Sequence, residues 1–201
     1  YLPKHFEQND AAALAALMRA HPLATLVTVT NGAPSADHLP LEYDASTRTL
    51  RGHVARANPL WRDAAGTAVL ALFHGPQGYV SPTWYPSKAE HHKAVPTWNY
   101  AVVHAHGRLR TLDDAAWVHA LVSELTARHE AGRTPPWQVA DAPADYLQQM
   151  LGAIVGIEIT IERLVGKWKL SQNRSEADRL GAAAVVLLFA GFLLPTGQRR
   201  R

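Results

Sequence analysis

The sequence predicts a mainly β fold with peripheral helices (α+β), an antiparallel barrel or meander of about six or seven strands. Short apolar or alternating segments recur along the chain, turn sequences of a few residues join them, and helical patterns are inserted between them. With 201 residues, 47% of them hydrophobic, the chain can form the core of one domain. It contains no cysteine, which excludes disulfides and thiolate metal ligands and suits the cytoplasm.

A helix opens the chain, and short strands follow it. The Ala- and Leu-rich run ending at His21 predicts the helix, with Asn9 or Asp10 as its N-cap and Pro22 as its stop. Three strands joined by the turn sequences NGAP and DASTR are predicted next: 23–30, 35–43 and 49–55. A short helix starting at Asn58-Pro59 leads to a buried strand over 68–73.

The second half contains a long loop, two helices and two longer strands. Residues 74–93 are rich in proline and glycine and predict a loop that leads into a strand over 94–107. Thr111 and Asp114 have the spacing of a capping box, and an apolar helical stripe follows them at Trp117, Leu121 and Leu125. A helix over 144–151 and a strand over 154–171 come last.

The strand over 94–107, AVPTWNYAVVHAHG, has no simple polar face. Successive side chains of a strand point in opposite directions, and here one set is small while the other is large with polar tips. In a small barrel the small set points inward, that is Thr97, Ala101, Val103 and Ala105. The large set, Trp98, Tyr100, His104 and His106, would then need a helix, a cofactor or a second subunit as cover.

The charge distribution favours neither nucleic acid nor membrane as a partner. The formal net charge is +3, and the three terminal arginines, 199–201, account for the excess. DNA-reading domains carry positive charge on one face or helix, so direct DNA binding stays open but gains no support here. Residues 180–198 are uncharged and largely apolar, yet their glycines and Pro195 disfavour a spanning helix. We therefore predict a domain over 1–179 and an apolar tail over 180–201.

Three segments carry polar groups suited to a ligand. In RGHVARANPLW, Arg56 and Asn58 fall where a strand meets a helix, which suits a phosphate, although a surface arginine and a helix-capping asparagine are the simpler interpretation. In YVSPTWYPSK, Trp84 and Lys88 lie on a proline-stiffened loop that either stacks on a planar anion or clamps the barrel. In KWKLSQNR, polar side chains gather at a strand end, which suits a polar ligand, a subunit contact or solvent.

Metal and nucleophilic sites find little support. The chain has eleven histidines, of which His104 and His106 share a strand face and His91 and His92 precede them. No HExxH motif and no carboxylate in register accompany them, so we predict no metal site. The serines lack a GxSxG context and no residue stands out as a general acid or base. Catalytic residues therefore stay unassigned, and whether the protein is an enzyme stays open.

Five stretches, taken together and in order, resemble the PaiB-type family of FMN-binding negative transcriptional regulators: YLPKHF, GHVARANPLW, YVSPTWYPSK, VPTWNYAVVHAHG and KWKLSQNRSEADR. That family belongs to the pyridoxamine-phosphate-oxidase-like split barrels. The resemblance covers residues 1 to about 179 and does not extend to the rest of the chain. It implies an FMN-binding split β-barrel, a homodimer, and FMN at the subunit interface.

The resemblance also implies which residues hold the flavin. His53, Arg56 and Asn58 of GHVARAN would lie near the phosphate, and His38 and Leu39 would lie along the flavin. Thr97, Trp98 and Asn99 of VPTWN, contributed by the partner chain, would reach the ring. The remaining implied ligands are Trp84, Lys88, Lys169, Gln172 and Arg174.

The family resemblance leaves more than one function open, because split barrels have several. The first hypothesis is an FMN-binding negative regulator of transcription. The second is an FMN-dependent oxidoreductase with a nicotinamide or small-molecule donor. The third is a haem-binding split barrel, for which the histidines would supply an axial ligand.

Overall fold

The computed structural model of the chain describes residues 1–183. These residues form two compact units. The smaller unit comprises Tyr1–Gln8, Gly75–Ala101 and the described residues from Lys167 onward. The larger unit comprises Asn9–His74 and Val102–Gly166.

Eight strands form one sheet: β1 (Glu7–Gln8), β2 (Leu23–Thr30), β3 (Ala33–Pro40), β4 (Glu42–Asp44), β5 (Thr49–Ala55), β6 (Ala68–Val80), β7 (Thr97–Leu112) and β8 (Ile154–Lys169). Their order is β3-β2-β6-β7-β8-β5-β4, and β1 pairs with β8. β2 pairs antiparallel with β3 and β6, and β5 pairs antiparallel with β4 and β8. This sheet confirms the predicted antiparallel, mainly β fold and has eight strands instead of six or seven: the sequence did not predict the two-residue β1, and it predicted β3 and β4 as one strand.

Six helices accompany the sheet in the described residues: α1 (Ala11–Ala20), α2 (Leu60–Asp63), α3 (Ser87–His91), α4 (Ala115–Glu130), α5 (Ala144–Gly152) and α6 (176–183). Short 3-10 turns occupy Lys4–Phe6, Pro82–Trp84 and Val139–Asp141. The predicted cap of α1 is confirmed, since the Asp10 carboxylate accepts the Ala12 N–H at 3.0 Å. Within residues 1–183, no helix has the length and apolar content needed to cross a bilayer.

The faces of β7 follow the predicted alternation. Ala101 is 6% exposed and Val103 and Ala105 are completely buried, whereas Trp98 on the opposite set is 55% exposed. Small residues are needed on the inner side because the neighbouring strand comes very close. A Cβ atom added to Gly107 would collide with the Thr160 carbonyl oxygen of β8.

Several predicted strand boundaries were wrong, among them those of β7, predicted over 94–107 and found at Thr97–Leu112, and the end of β8, predicted at 171 and found at Lys169. The strand predicted over 35–43 is divided at Leu41: the Leu41 N–H still donates to the Pro22 carbonyl at 2.9 Å, in the β2–β3 register, whereas the residues after it form β4 and pair with β5. The strand predicted over 68–73 continues to Val80, through part of the expected loop. Pro76 lies beyond residues 70–72, which are the part of β6 that pairs with β2, so its lack of an N–H leaves that ladder intact.

The start of α4 also differs from the predicted capping box. Asp114, not Thr111, is the N-cap, and its Oδ1 accepts the N–H groups of Ala116 and Trp117 at 2.8 and 3.1 Å. Thr111 belongs to β7, whose backbone conformation separates it from the helix. The acidic residue of the predicted pair is therefore the cap itself.

Replacement of this cap gives a direct test. Asp114→Ala is expected to lower the free energy of unfolding by about 1 kcal/mol, because two helical N–H groups lose their acceptor. Urea denaturation measures the loss. Thr111→Val is the matched control and should leave stability nearly unchanged. An equal loss of stability in this control would support the predicted capping box, in which Thr111 takes part.

The predicted domain boundary after residue 179 falls within α6, which includes residues 180–183. Most of the predicted apolar tail, from residue 184 to the three terminal arginines, lies outside the described residues. A distinct tail therefore stays a prediction.

Candidate functional site

Arg56 in the larger unit is held by four hydrogen bonds. Its Nε donates to the Gly152 carbonyl at 2.7 Å, and its Nη2 donates to the Ile154 carbonyl at 3.3 Å. Its Nη1 and Nη2 also bind the two carboxylate oxygens of Asp113 at 2.8 and 2.6 Å. Hydrogen bonds to Arg56 hold the pKa of the Asp113 carboxyl below its usual value and raise the pKa of Arg56. A guanidinium has five N–H donors, so one N–H, on Nη1, is left.

Asn58 connects the end of β5 to α2. Its Oδ1 accepts the Leu60 N–H at 2.9 Å, which is the helix-capping role that the simpler interpretation expected. Its Nδ2 donates to Asp37 Oδ1 on β3 at 2.7 Å. The indole of Trp61 donates to the Arg56 carbonyl at 3.0 Å. Arg56 and Asn58 therefore lie on a fixed backbone, with their side chains engaged by protein groups.

His53 is the predicted ligand that keeps an unused polar atom. His53 lies on β5, three positions before Arg56, and pairs with Gly156 of β8. Its Nδ1 is buried and has no hydrogen-bond partner among the described residues. Burial lowers the pKa of His53 because the charged imidazolium loses hydration. A neutral imidazole with a free nitrogen is suited to bind one polar atom of a ligand.

The shifted pKa of His53 predicts a pH dependence of stability. Its ordinary pKa is 6.5, and the folded value is lower, so the unfolded chain binds this proton first as the pH falls. The contribution of neutral His53 is complete above 6.5 and is lost as the pH falls from there through the folded pKa. The stability of the wild-type chain should therefore decline towards that of His53→Gln in urea titrations at decreasing pH. A difference in the free energy of unfolding between wild type and His53→Gln that stays constant with pH would contradict the lowered pKa of His53.

The other two predicted residues of the larger unit differ from each other. His38 is exposed on β3, where it pairs with Thr25. Leu39 is only 5% exposed and packs in the core close to Gly52. A contribution of Leu39 to a ligand would therefore come through its backbone.

In the smaller unit, the predicted residues at the start of β7 and the end of β8 come together. The Lys169 ammonium donates to Thr97 Oγ1 and to the Trp98 carbonyl, the latter at 2.5 Å. Ser171 follows β8 and donates to Asn99 Oδ1 at 3.1 Å. These bonds fix a cation beside an indole that is 55% exposed.

Aromatic rings and lysines share this face of the smaller unit. Tyr79 meets Trp98 edge to face, with ring centroids 6.2 Å apart. The ammonium groups of Lys167 and Lys169 lie 5.5 and 6.0 Å from the centroid of the Tyr100 ring. We call Tyr79, Trp98, Tyr100 and Lys169 the aromatic–lysine face and leave out Lys167, whose Nζ also donates to the Tyr1 carbonyl at 3.2 Å. It offers flat apolar rings and positive charge, which together suit a planar anion.

Gln172 and Arg174 lie in the turn that follows β8. The Gln172 side chain closes this turn by accepting the Leu170 N–H at 2.7 Å and donating to the Trp168 carbonyl at 2.5 Å. Ser171 has a positive φ of 65°, which the turn requires. The Arg174 guanidinium lies 5.0 Å from the centre of the Tyr85 ring. Both predicted ligands thus also support local structure.

Trp84 and Lys88 belong to a packed part of the smaller unit. Trp84 packs against a core of Val80, Tyr85 and Ala182 rather than standing free. Burial would raise the pKa of the neighbouring Asp178, but hydrogen bonds from Ser87 Oγ and N, at 2.7 and 3.1 Å, keep it lowered. These contacts attach α6 to the segment that carries Lys88. Of the two interpretations of this loop, the packing of Trp84 favours the one in which aromatic rings hold the loop against the protein.

Sequence reasoning missed several partners of the predicted residues. Asp113 and Asp37 bind Arg56 and Asn58 from 57 and 21 positions away along the chain. Such pairs depend on the sheet order, and no local motif shows them. Tyr79 and Tyr100 were visible only as aromatic positions near the predicted ring residues.

A cleft of about 580 Å³ lies between α4 and α5 and contains none of the predicted ligands. Its walls are mainly apolar, with His119 and Gln148 as polar groups. Within residues 1–183, no group of three or more His, Asp or Glu side chains is arranged to bind a metal ion.

The fold and the comparisons with known proteins identify the chain as an FMN-binding split barrel. Residues 1–163 match the family described as "Putative FMN-binding domain", and the chain belongs to that family. It is 35% identical over 184 residues to the protease synthase and sporulation protein PAI 2 of Bacillus subtilis (strain 168), covering 89% of this chain and 84% of that protein. The predicted PaiB-type resemblance and its cofactor, FMN, are thereby confirmed at the level of the family.

Solved structures support the fold. The FAD and haem binding protein of Mycobacterium smegmatis matches with a TM-score of 0.64 at 18% identity, covering 88% of this chain and 79% of that one. The flavocytochrome Anf3 of Azotobacter vinelandii matches with a TM-score of 0.65 at 15% identity, covering 90% and 78%. At such identities the likeness concerns the fold alone.

Proposed function

We propose that the chain binds FMN at a homodimer interface and acts as a negative regulator of transcription. The observation that carries the proposal is the aromatic–lysine face, since a fixed cation beside exposed rings is what an isoalloxazine requires. The chain's membership of an FMN-binding family supports FMN as the ligand of this face.

The larger unit offers a donor set that fits the phosphate of FMN. His53 keeps a buried nitrogen without a partner, and Arg56 keeps one N–H besides its positive charge. Arginine binds phosphate by charge-assisted hydrogen bonds, and Asn58 is close along the chain. We assign these three residues to the phosphate, and His38 with the Leu39 backbone to the edge of the flavin.

In the proposed dimer, the smaller unit of the partner chain contributes the groups that fit the ring. Trp98 presents an apolar surface, Lys169 a positive charge, and Thr97 and Asn99 polar atoms next to them. Positive charge near the flavin pyrimidine stabilises electron density there, which is the chemistry that FMN brings when bound. Gln172 and Arg174 lie in the adjacent turn, and Trp84 and Lys88 are assigned as supporting residues.

A second copy of the chain is the partner that this surface favours. Large apolar side chains of the smaller unit are exposed in the single chain: Tyr1, Tyr79, Val95, Trp98, Leu170 and Leu180. Two of them, Tyr79 and Trp98, contact each other and form an exposed aromatic patch, and such a patch is what an interface with a second copy would cover. A ligand held by both copies would stabilise the dimer, so FMN should shift the sedimentation of the protein towards the dimer.

A titration with FMN and with riboflavin tests the binding. Quenching of flavin fluorescence should show tight binding of FMN and weaker binding of riboflavin, which lacks the phosphate. No binding of either flavin would remove the proposed function. Equal affinity would remove the phosphate assignment alone.

The regulatory role rests on the PaiB-type resemblance and needs its own test. The FMN-loaded protein should keep its flavin colour when mixed anaerobically with NADH or NADPH. Bleaching by either donor would favour the oxidoreductase instead. A salt-dependent shift of promoter DNA would indicate direct binding. The cytoplasmic location that the cysteine-free composition suggests belongs to the same proposal.

A further inference from the structure

Arg56, the proposed phosphate ligand, is already bound by an anion of the chain itself. The two oxygens of Asp113 accept from its two terminal nitrogens at 2.8 and 2.6 Å. A phosphate group binds a guanidinium in this same parallel, bidentate way. The Asp113 carboxylate thus occupies an edge of Arg56 at which a phosphate group can bind in the same bidentate way.

We propose that Asp113 sets the phosphate affinity of this site, because its carboxylate binds the same edge of Arg56 as the phosphate would and is displaced when phosphate binds. The inference rests on the proposed function, since it concerns the phosphate of the same FMN. Asp113 is therefore a specificity-determining residue that acts through Arg56 and does not touch the ligand.

Displacement is feasible because the pair is accessible and Arg56 has other anchors. The side chains of Arg56 and Asp113 are 38% and 55% exposed, and exposed ion pairs contribute little to stability. The Gly152 and Ile154 carbonyls still bind Arg56 once Asp113 has left. A phosphate dianion carries more charge than the carboxylate and replaces it without moving the guanidinium.

Displacement of the Asp113 carboxylate from Arg56 would affect the start of α4. Asp113 directly precedes Asp114, whose side chain caps α4 by accepting the Ala116 and Trp117 N–H groups. The middle of α4 is held separately, since Arg51 of β5 binds Glu124 at 2.8 Å. Phosphate binding therefore loosens the first turn of α4 and leaves the rest of the helix attached.

The test compares Asp113→Asn with wild type in titrations with FMN and riboflavin. The variant should bind FMN about two- to fivefold more tightly, because the competing carboxylate charge is gone, and bind riboflavin as wild type does. Glu162→Gln is the matched control, since it removes another exposed ion pair, with Arg108. It should change neither affinity. Circular dichroism and urea midpoints establish that both variants are folded.

A second readout follows hydrogen exchange of residues 113–118. FMN should accelerate exchange at these amides in the wild-type chain, and riboflavin should not. Weaker or unchanged FMN binding by Asp113→Asn, with normal wild-type binding, would overturn the displacement and leave the proposed function intact. A wild-type chain that binds no FMN would overturn both the displacement of Asp113 and the proposed function.

Discussion

A Lys169→Met variant is expected to bind FMN about ten- to a hundredfold more weakly than the wild-type chain. The Lys169 ammonium is fixed by Thr97 Oγ1 and the Trp98 carbonyl, so its charge stands beside the exposed indole that we assign to the flavin ring. Loss of a hydrogen bond to a charged group costs about 1.5–3 kcal/mol, which corresponds to this range of Kd. Flavin fluorescence titration measures it.

Lys167→Met is the matched control for this prediction. Lys167 lies two positions earlier on β8 and also faces the Tyr100 ring, but its Nζ donates to the Tyr1 carbonyl, at 3.2 Å. Its removal takes away the same charge from the same strand and should change the Kd of FMN little. Equal losses of FMN affinity in the two variants would show that the effect depends only on net charge. No loss in either would exclude Lys169 from the site.

The double replacement Arg51→Met with Arg128→Met is expected to lower the free energy of unfolding by about 3–5 kcal/mol. Glu42 of β4 is only 2% exposed, and these two arginines are its ion-pair partners. Arg128 Nη1 lies 3.1 Å from Glu42 Oε1, and Arg51 Nη2 lies 3.7 Å from Oε2. Without them a buried carboxylate remains uncompensated. Urea denaturation measures the change.

A triple variant separates this charge effect from lost packing. If Glu42 is also replaced by methionine, no buried charge is left, and most of the stability should return, because an apolar side chain tolerates this environment. A triple variant as unstable as the double would show that the arginine stems, and not their charges, hold α4 on the sheet. A double variant that loses less than about 1 kcal/mol would show that the two arginines do not stabilise the Glu42 carboxylate.

The sequence predicted those parts of the fold that local chemistry determines. β2 and β5 coincide with the predicted strands, and Asp10 caps α1 as expected, since alternation and capping act over a few residues. The extension of β6 through Pro76 could not be predicted from local sequence. Whether proline interrupts a strand depends on which neighbour would have accepted its N–H.

The sequence suggested which residues form the candidate site, but it did not show which of them bind each other or other side chains. The motifs contain Arg56, Asn58, Thr97 and Lys169, and the structure joins the last two to each other. That Arg56 binds Asp113 depends on the ends of β5 and β7, which are far apart in sequence. The family resemblance identified the residues, and the sheet order determines which of their donors are already used.

The most direct test of the central claim is the flavin content of the purified protein. The chain is incubated with excess FMN and desalted, and its flavin absorption is then compared with its protein concentration. We predict about one FMN retained per chain, with less retained by Lys169→Met and unchanged retention by Lys167→Met. A colourless wild-type protein after this treatment would contradict the account.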